Sequence, residues 1–176
     1  MAGSLVQVAT TTVSSGTASV TLTGINSDDV YMLSFNNVQV ADDGSHTYQY
    51  FYGRFTESGT PNTTSNYDYA AKQLDAHYTF GNVTAQNQDK FQPVFFRIAD
   101  DSTGFANGIM YIYNANDSSE YTFLTIESAA TDAGGEFASG QGGVGFTVTS
   151  AVDGIQFYFA NSKNITAGTF TLYKVV

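Results

Sequence analysis

Apolar and polar residues alternate with a period of two along nearly the whole chain, and that pattern selects strands over helices. The tail states it most clearly. Residues 153–160, Asp-Gly-Ile-Gln-Phe-Tyr-Phe-Ala, read as one strand, 161–168 as a turn-rich connection, and 169–176 as a second strand on which the chain is expected to close. Upstream, strands are expected at Leu5–Val13, Ser19–Thr23, 29–35, 46–55, 91–98, 108–113, 120–127 and 143–149. Clusters such as Gly24-Ile25-Asn26-Ser27-Asp28 and Ala41-Asp42-Asp43-Gly44-Ser45 separate them with strong turn chemistry. Many short strands with this punctuation imply a sandwich or a barrel. Two segments are less plain. Residues 66–77 combine the helix formers Ala70, Ala71, Lys72, Gln73 and Leu74 with a strand-like Tyr67/Tyr69 alternation, so both readings stay open. The glycine-rich run 134–143 reads as a long loop.

A length of 176 residues suits one domain, 1–176, with residues 1–13 a strand or an extended N-terminal arm. Hydrophobic residues at 42% and aromatics at 15% are enough to build a core, so the abundant Ser, Thr, Asn and Gly do not signal disorder. Charged residues are only 12%, about half of ordinary usage. The surface is therefore expected to be neutral and polar, compatible with extensive subunit contacts.

The net charge of −10 repels phosphate and anionic lipid, so neither nucleic acid nor a membrane is expected as a partner. The six bases, Arg54, Lys72, Lys90, Arg97, Lys163 and Lys174, lie scattered along the sequence and form no basic stripe. The absence of cysteine rules out disulfides and thiolate metal sites. The first residues, Met1 to Val8, have neither a basic nor an apolar signal region, and no apolar run is long enough to span a bilayer, so a soluble chain released without signal-dependent export is expected.

Reaction chemistry finds little support. His46 and His77 stand in unrelated contexts, without the spacing that sets two imidazoles around one metal. There is no G-x-S-x-G elbow, and Gly142-Gly143-Val144-Gly145 lacks the Lys-Ser/Thr that completes a phosphate loop. No carboxylate pair is singled out for glycoside hydrolysis. The acidic doublets Asp28-Asp29, Asp42-Asp43 and Asp100-Asp101 read first as turn residues, with calcium near Asp42, Asp43 and Gly44 as the lesser alternative. Asn62, Asn82, Asn116 and Asn164 stand in N-x-S/T triplets, as chance allows in so polar a chain. No enzyme activity and no cofactor are expected.

The aromatics say more. Tyr48-Gln49-Tyr50-Phe51-Tyr52, Phe95-Phe96, Met110-Tyr111-Ile112-Tyr113 and Phe157-Tyr158-Phe159 place rings on both faces of their strands. A strand with one wet face should alternate apolar with polar, so the second face is expected to be covered by a loop, a sister subunit or a ligand. Tyrosine suits interfaces, because its ring buries area while its hydroxyl stays bonded. A carbohydrate platform is the weaker expectation, since the chain has no tryptophan. The interface candidates are Leu5, Val6, Val8, Tyr48, Tyr50, Tyr52, Tyr111, Tyr113 and Tyr158. Leu5, Val6 and Val8 qualify as a strand that can add to a neighbour's sheet edge.

Across nearly its whole length the chain resembles small virion proteins of tailed bacteriophages, marine ones especially. The likeness lies in residues 6–13, 18–25, Ser65-Asn66-Tyr67-Asp68-Tyr69, 108–114 and the tail from Asp153 to Tyr173. It implies an all-β fold, an antiparallel β-sandwich of jelly-roll type. The implied role is capsid decoration or cement, with a tail-fibre, head-fibre or knob protein touching host-surface glycans as the alternative. The implied partners are the major capsid protein or other virion proteins and further copies of the chain, most simply a trimer. The implied location is the virion, assembled in the host cytoplasm. The likeness brings no defined site, so no residue role transfers with it.

Overall fold

In the computed structural model, residues 3–42, 44, 48–76, 80–94, 97–132 and 135–176 are described. Eight strands carry the architecture: β1 (Leu5–Val13), β2 (Ser19–Thr23), β3 (Tyr31–Val40), β4 (Tyr48–Glu57), β8 (Arg97–Ala99), β9 (Ala106–Tyr113), β12 (Gly154–Phe159) and β13 (Ile165–Val175). Their pairing is nested. The first pairs with the last, the second with the seventh, the third with the sixth and the fourth with the fifth, all antiparallel. Two further pairings, β13 with β3 and β12 with β4, join these couples into two sheets. An antiparallel ribbon rolled up in this way is a jelly roll, as the resemblance implies.

Two insertions enlarge one sheet. Between β4 and β8 come β5 (Thr60–Pro61), β6 (Tyr67–Asp75) and β7 (Gly81–Gln88); between β9 and β12 come β10 (Tyr121–Thr131) and β11 (Phe137–Thr149). The long sheet then runs β1-β13-β3-β9-β10-β11-β6-β7, and the short sheet β2-β12-β4-β5 with β8 also on β4. The two tail strands, adjacent in sequence, do not pair with each other. A short 3-10 turn at Ala160–Ser162 carries the chain from one sheet to the other.

Several expectations need correction. The segment 66–77, open to both readings in the sequence, is strand from Tyr67 to Asp75, because Tyr67 has to reach the core while Asp68 faces out. The glycine-rich run is not a loop: from Phe137 it belongs to β11. Gly142 sits directly opposite Ala71, and a Cβ there would collide with Ala71 itself, so the missing side chain lets the strands meet. The expected strand 91–98 is an isolated bridge, Phe91 with Gly53, followed by the short β8. Between them Val94 is buried, so this segment caps the core with side chains as well as backbone. β7 was not anticipated: Gly-Asn-Val-Thr-Ala-Gln-Asn-Gln is too polar to read as a strand, and it forms one because it is an edge with Val83 half-buried.

Period-two alternation sends one set of side chains between the sheets. Phe35 and Phe170 of the long sheet meet Phe51 and Phe157 of the short one, with ring centroids 5.4 to 6.4 Å apart, and Phe159 packs beside Phe51 at 4.9 Å. A second cluster of Phe55, Tyr67, Phe91 and Phe146 fills the end beneath β6 and β11. Each fully buried ring contributes about 1.5–3 kcal/mol. Tyr67 also does polar work there. Its hydroxyl accepts from the Phe55 backbone N–H at 2.9 Å and donates to the Asn62 carbonyl at 3.3 Å, and burial pushes its ionisation well above the ordinary tyrosine value. Replacing Tyr67 with Phe is expected to cost about 1–3 kcal/mol, since it strands a buried N–H. Chemical denaturation against wild type measures this, and a cost below about 0.5 kcal/mol would show that the N–H finds another acceptor.

Candidate functional site

The other set of side chains faces outward, and the two outer faces differ. On the long sheet, Ile109, Tyr111 and Tyr113 project from the solvent side of β9 and Tyr121 and Phe123 from β10. Register places Phe123 opposite Tyr113, and Met32 of β3 opposite Tyr111, with Tyr173 of β13 beyond Met32. The result is a continuous apolar band across four strands. Ile109, Tyr111, Tyr121 and Phe123 are each 40–46% exposed, a large apolar area for a face that meets only water. A groove of about 300 Å³ runs beside it, between Ile109, Tyr111, Thr125, Glu127 and Gln141. On the strand beyond, Gly143 stands opposite Thr125 and puts no side chain on this face.

The short sheet's outer face is built from tyrosines and cations. Tyr48, Tyr50, Tyr52 and Arg54 alternate along β4, and Tyr158 of β12 pairs with Tyr52. Tyr50 and Tyr52 stack at 6.1 Å, and Tyr52 meets Tyr158 at 5.6 Å. Cations lie over the rings: Arg97 on Tyr48 at 3.2 Å, Lys90 on Tyr52 at 5.0 Å, and Arg54 on Tyr158 at 4.8 Å. Three of the six Lys and Arg residues thus converge on one face, which corrects the scattered picture from the sequence. Asp89 ties two of them, 2.6 Å from both Arg54 and Lys90. Burial opposes ionisation of Asp89, but the hydrogen bonds from Lys90 and Arg54 outweigh it and hold the carboxyl below its ordinary value.

Tyr158 is the polar oddity of this face. Its hydroxyl is buried and has no hydrogen-bond partner among the described residues. Burial raises its ionisation to about 12, against the pull of Arg54. With no tryptophan in the chain, ultraviolet absorbance in alkali reads tyrosine alone. Tyr158→Phe is expected to remove a phenolate transition near 12; a loss that falls instead at the ordinary tyrosine value of about 10 would place that group elsewhere.

No protein-family model matches this chain, and no curated protein matches it.

The nine interface candidates therefore fall into three places. Tyr48, Tyr50, Tyr52 and Tyr158 gather on the short sheet; Tyr111 and Tyr113 lie on the opposite side of the molecule. Leu5 and Val6 are about half exposed on β1, whereas Val8 packs partly against the core. β1 is no free arm: it pairs along its length with β13 of its own chain, leaving only its outer edge open. Reading by sequence missed Ile109, Tyr121, Phe123, Arg54, Lys90 and Arg97. Strand alternation held a signal for the first three, which share parity with Tyr111 or with one another.

His46, His77, Asp43 and the Phe95-Phe96 pair lie outside the described residues. Among the described residues no group of three or more acidic or histidine side chains is placed to hold a metal ion. The acidic loops serve turns. Asp42 accepts from the Gly44 N–H at 2.6 Å, Asp101 from Thr103 at 2.7 Å and Asp117 from Ser119 at 2.7 Å. Asp29 instead bridges Lys174 at 2.5 Å. The buried Asp100 faces Gln49, which accepts in turn from Asn161, so the core carries a polar strut between β4 and the turn after β12.

Proposed function

We propose that this chain is a structural protein of a bacteriophage virion, a capsid decoration or cement protein that works through subunit contacts. The observation that carries the reading is the apolar band of Ile109, Tyr111, Tyr121 and Phe123 on the long sheet. Among the described residues, Glu127 is the one charged side chain lining the adjoining groove, so packing a sister copy there buries rings without stranding many charges. The remaining negative charge stays in solvent around the contact and disfavours loose, unspecific aggregation. We favour a trimer, in which the band of each copy meets a different surface of the next and the ring closes on itself. Such an assembly, repeated over a shell, reinforces the capsid with about 1,000 Å² or more at each contact. The virion resemblance of the sequence supports the same role.

Quantitative mass spectrometry of purified particles tests it. A copy number in step with the major capsid protein supports the reading, whereas copies confined to one vertex or to the tail would overturn it.

A second reading has its own observation. The cation-topped tyrosines of the short sheet suit contact with host-surface glycans, as a fibre or knob protein would make. Binding to polysaccharide of the host surface, together with low copy number, favours that role.

A further inference from the structure

The structure points us to a binding site for an acidic saccharide, a sugar ring bearing a carboxylate, in the cleft where Tyr158 meets the 3-10 turn; this rests on the glycan-contact reading and gives it a site and a ligand class. The cleft has a volume of about 550 Å³, room for one or two sugar rings, and is lined by Tyr52, Arg54, Lys90, Tyr158, Asn161 and Ser162.

Three features converge on that ligand. The first is charge. Arg54 and Lys90 share the one carboxylate of Asp89, so one positive charge in the cleft is left unbalanced among the described residues. In a chain of net charge −10 this is a local exception, and it matches one carboxylate rather than a polyphosphate, which the overall field repels. The second is the Tyr158 hydroxyl, covered at the cleft wall with no hydrogen-bond partner among the described residues; a sugar hydroxyl or ring oxygen that displaces its cover would complete its hydrogen bonding. The third is the rim. Asn161 and Ser162 both hold left-handed backbone, at φ 56° and 57°, a conformation that side chains resist and that gathers at functional sites. Gln49 fixes the Asn161 side chain through a 3.1 Å bond, so the rim is held by the core. The Tyr52 and Tyr158 rings, tilted by 49° and topped by Lys90 and Arg54, line the cleft with ring edges against which the C–H groups of a pyranose can pack.

The test titrates the intact chain with a panel of uronic-acid oligosaccharides of differing linkage and with their neutral counterparts, by calorimetry. At least one uronide is expected to bind about 10-fold more tightly than its neutral counterpart. Lys90→Gln should cost a further ~10-fold, and Tyr158→Phe, which keeps the ring and the fold, ~3-fold or more. Lys72→Gln, on the long sheet, should change nothing. Circular dichroism checks that each variant is folded. Equal binding of neutral and acidic sugars would overturn the acidic ligand while leaving glycan contact standing. Uronide binding indifferent to both Lys90→Gln and Tyr158→Phe would overturn the site. A panel with no binder would overturn both the inference and the glycan-contact reading beneath it.

Discussion

Phe51→Ala is expected to destabilise the fold by about 3–5 kcal/mol. Phe51 comes from the short sheet and has no exposed surface. Its ring touches Phe157 and Phe159 on the neighbouring strand and Phe35 and Phe170 across the sandwich, at centroid distances of 5.6, 4.9, 5.8 and 6.3 Å. Truncation therefore removes the shared contact of both layers and leaves a cavity that four rigid rings cannot collapse to fill. For a chain of this size the melting temperature should fall by roughly 10 °C. Tyr50→Ala is the matched control. Tyr50 is the residue before Phe51 on the same strand but points outward and is 39% exposed, so its loss should cost about 1 kcal/mol or less. Calorimetry of the two variants reads the difference. Equal costs would mean that the alternation along β4 does not separate core from surface.

Tyr111→Arg is expected to leave the monomer folded and abolish its association. The side chain faces outward from β9, between Met32 and Thr125, so a guanidinium there stays in water while the chain is alone. In an assembled contact the same charge would be buried at the centre of the apolar band. Central aromatic positions of interfaces commonly carry 2 kcal/mol or more, and an unpaired buried charge adds to that, so affinity should fall by at least ~30-fold. Sedimentation across a range of concentrations measures self-association, and rebinding to particles lacking the protein measures attachment. A variant that associates and rebinds like wild type would move the contact off this face.

Much of the fold is legible in local pattern, and the misreadings have local causes. Leu5–Val13 and Ser19–Thr23 are strands at the expected residues, the first because it is rich in valine and threonine, the second because its alternation is clean. β11 hides behind glycine, which has no side chain to show a period, and β7 behind polar residues that need no buried face on an edge. The stretch 91–94 looks like a strand because Phe91 and Val94 are apolar, yet most of its burial comes from capping the core end rather than from pairing. The site is less legible still. Tyr52 and Tyr158 stand out in the sequence as outward rings on apolar strands. Arg54, Lys90 and Asp89 do not, since nothing near them in sequence says that the loop after β7 returns across β4.

Alternation is a property of neighbours along the chain, so the sequence alone determined that this is an all-β protein and that its strands carry rings on both sides. Which sides face each other was decided by pairing between strands as far apart as β1 and β13, whose contacts depend on how the whole ribbon rolls up. The tail shows both halves of this. Its two strands are plain in the sequence, with Ile155, Phe157 and Phe159 of one parity and Tyr158 of the other. Only the nested pairing sends them to opposite sheets, sets the first three in the core, and brings Tyr158 under the Arg54 guanidinium.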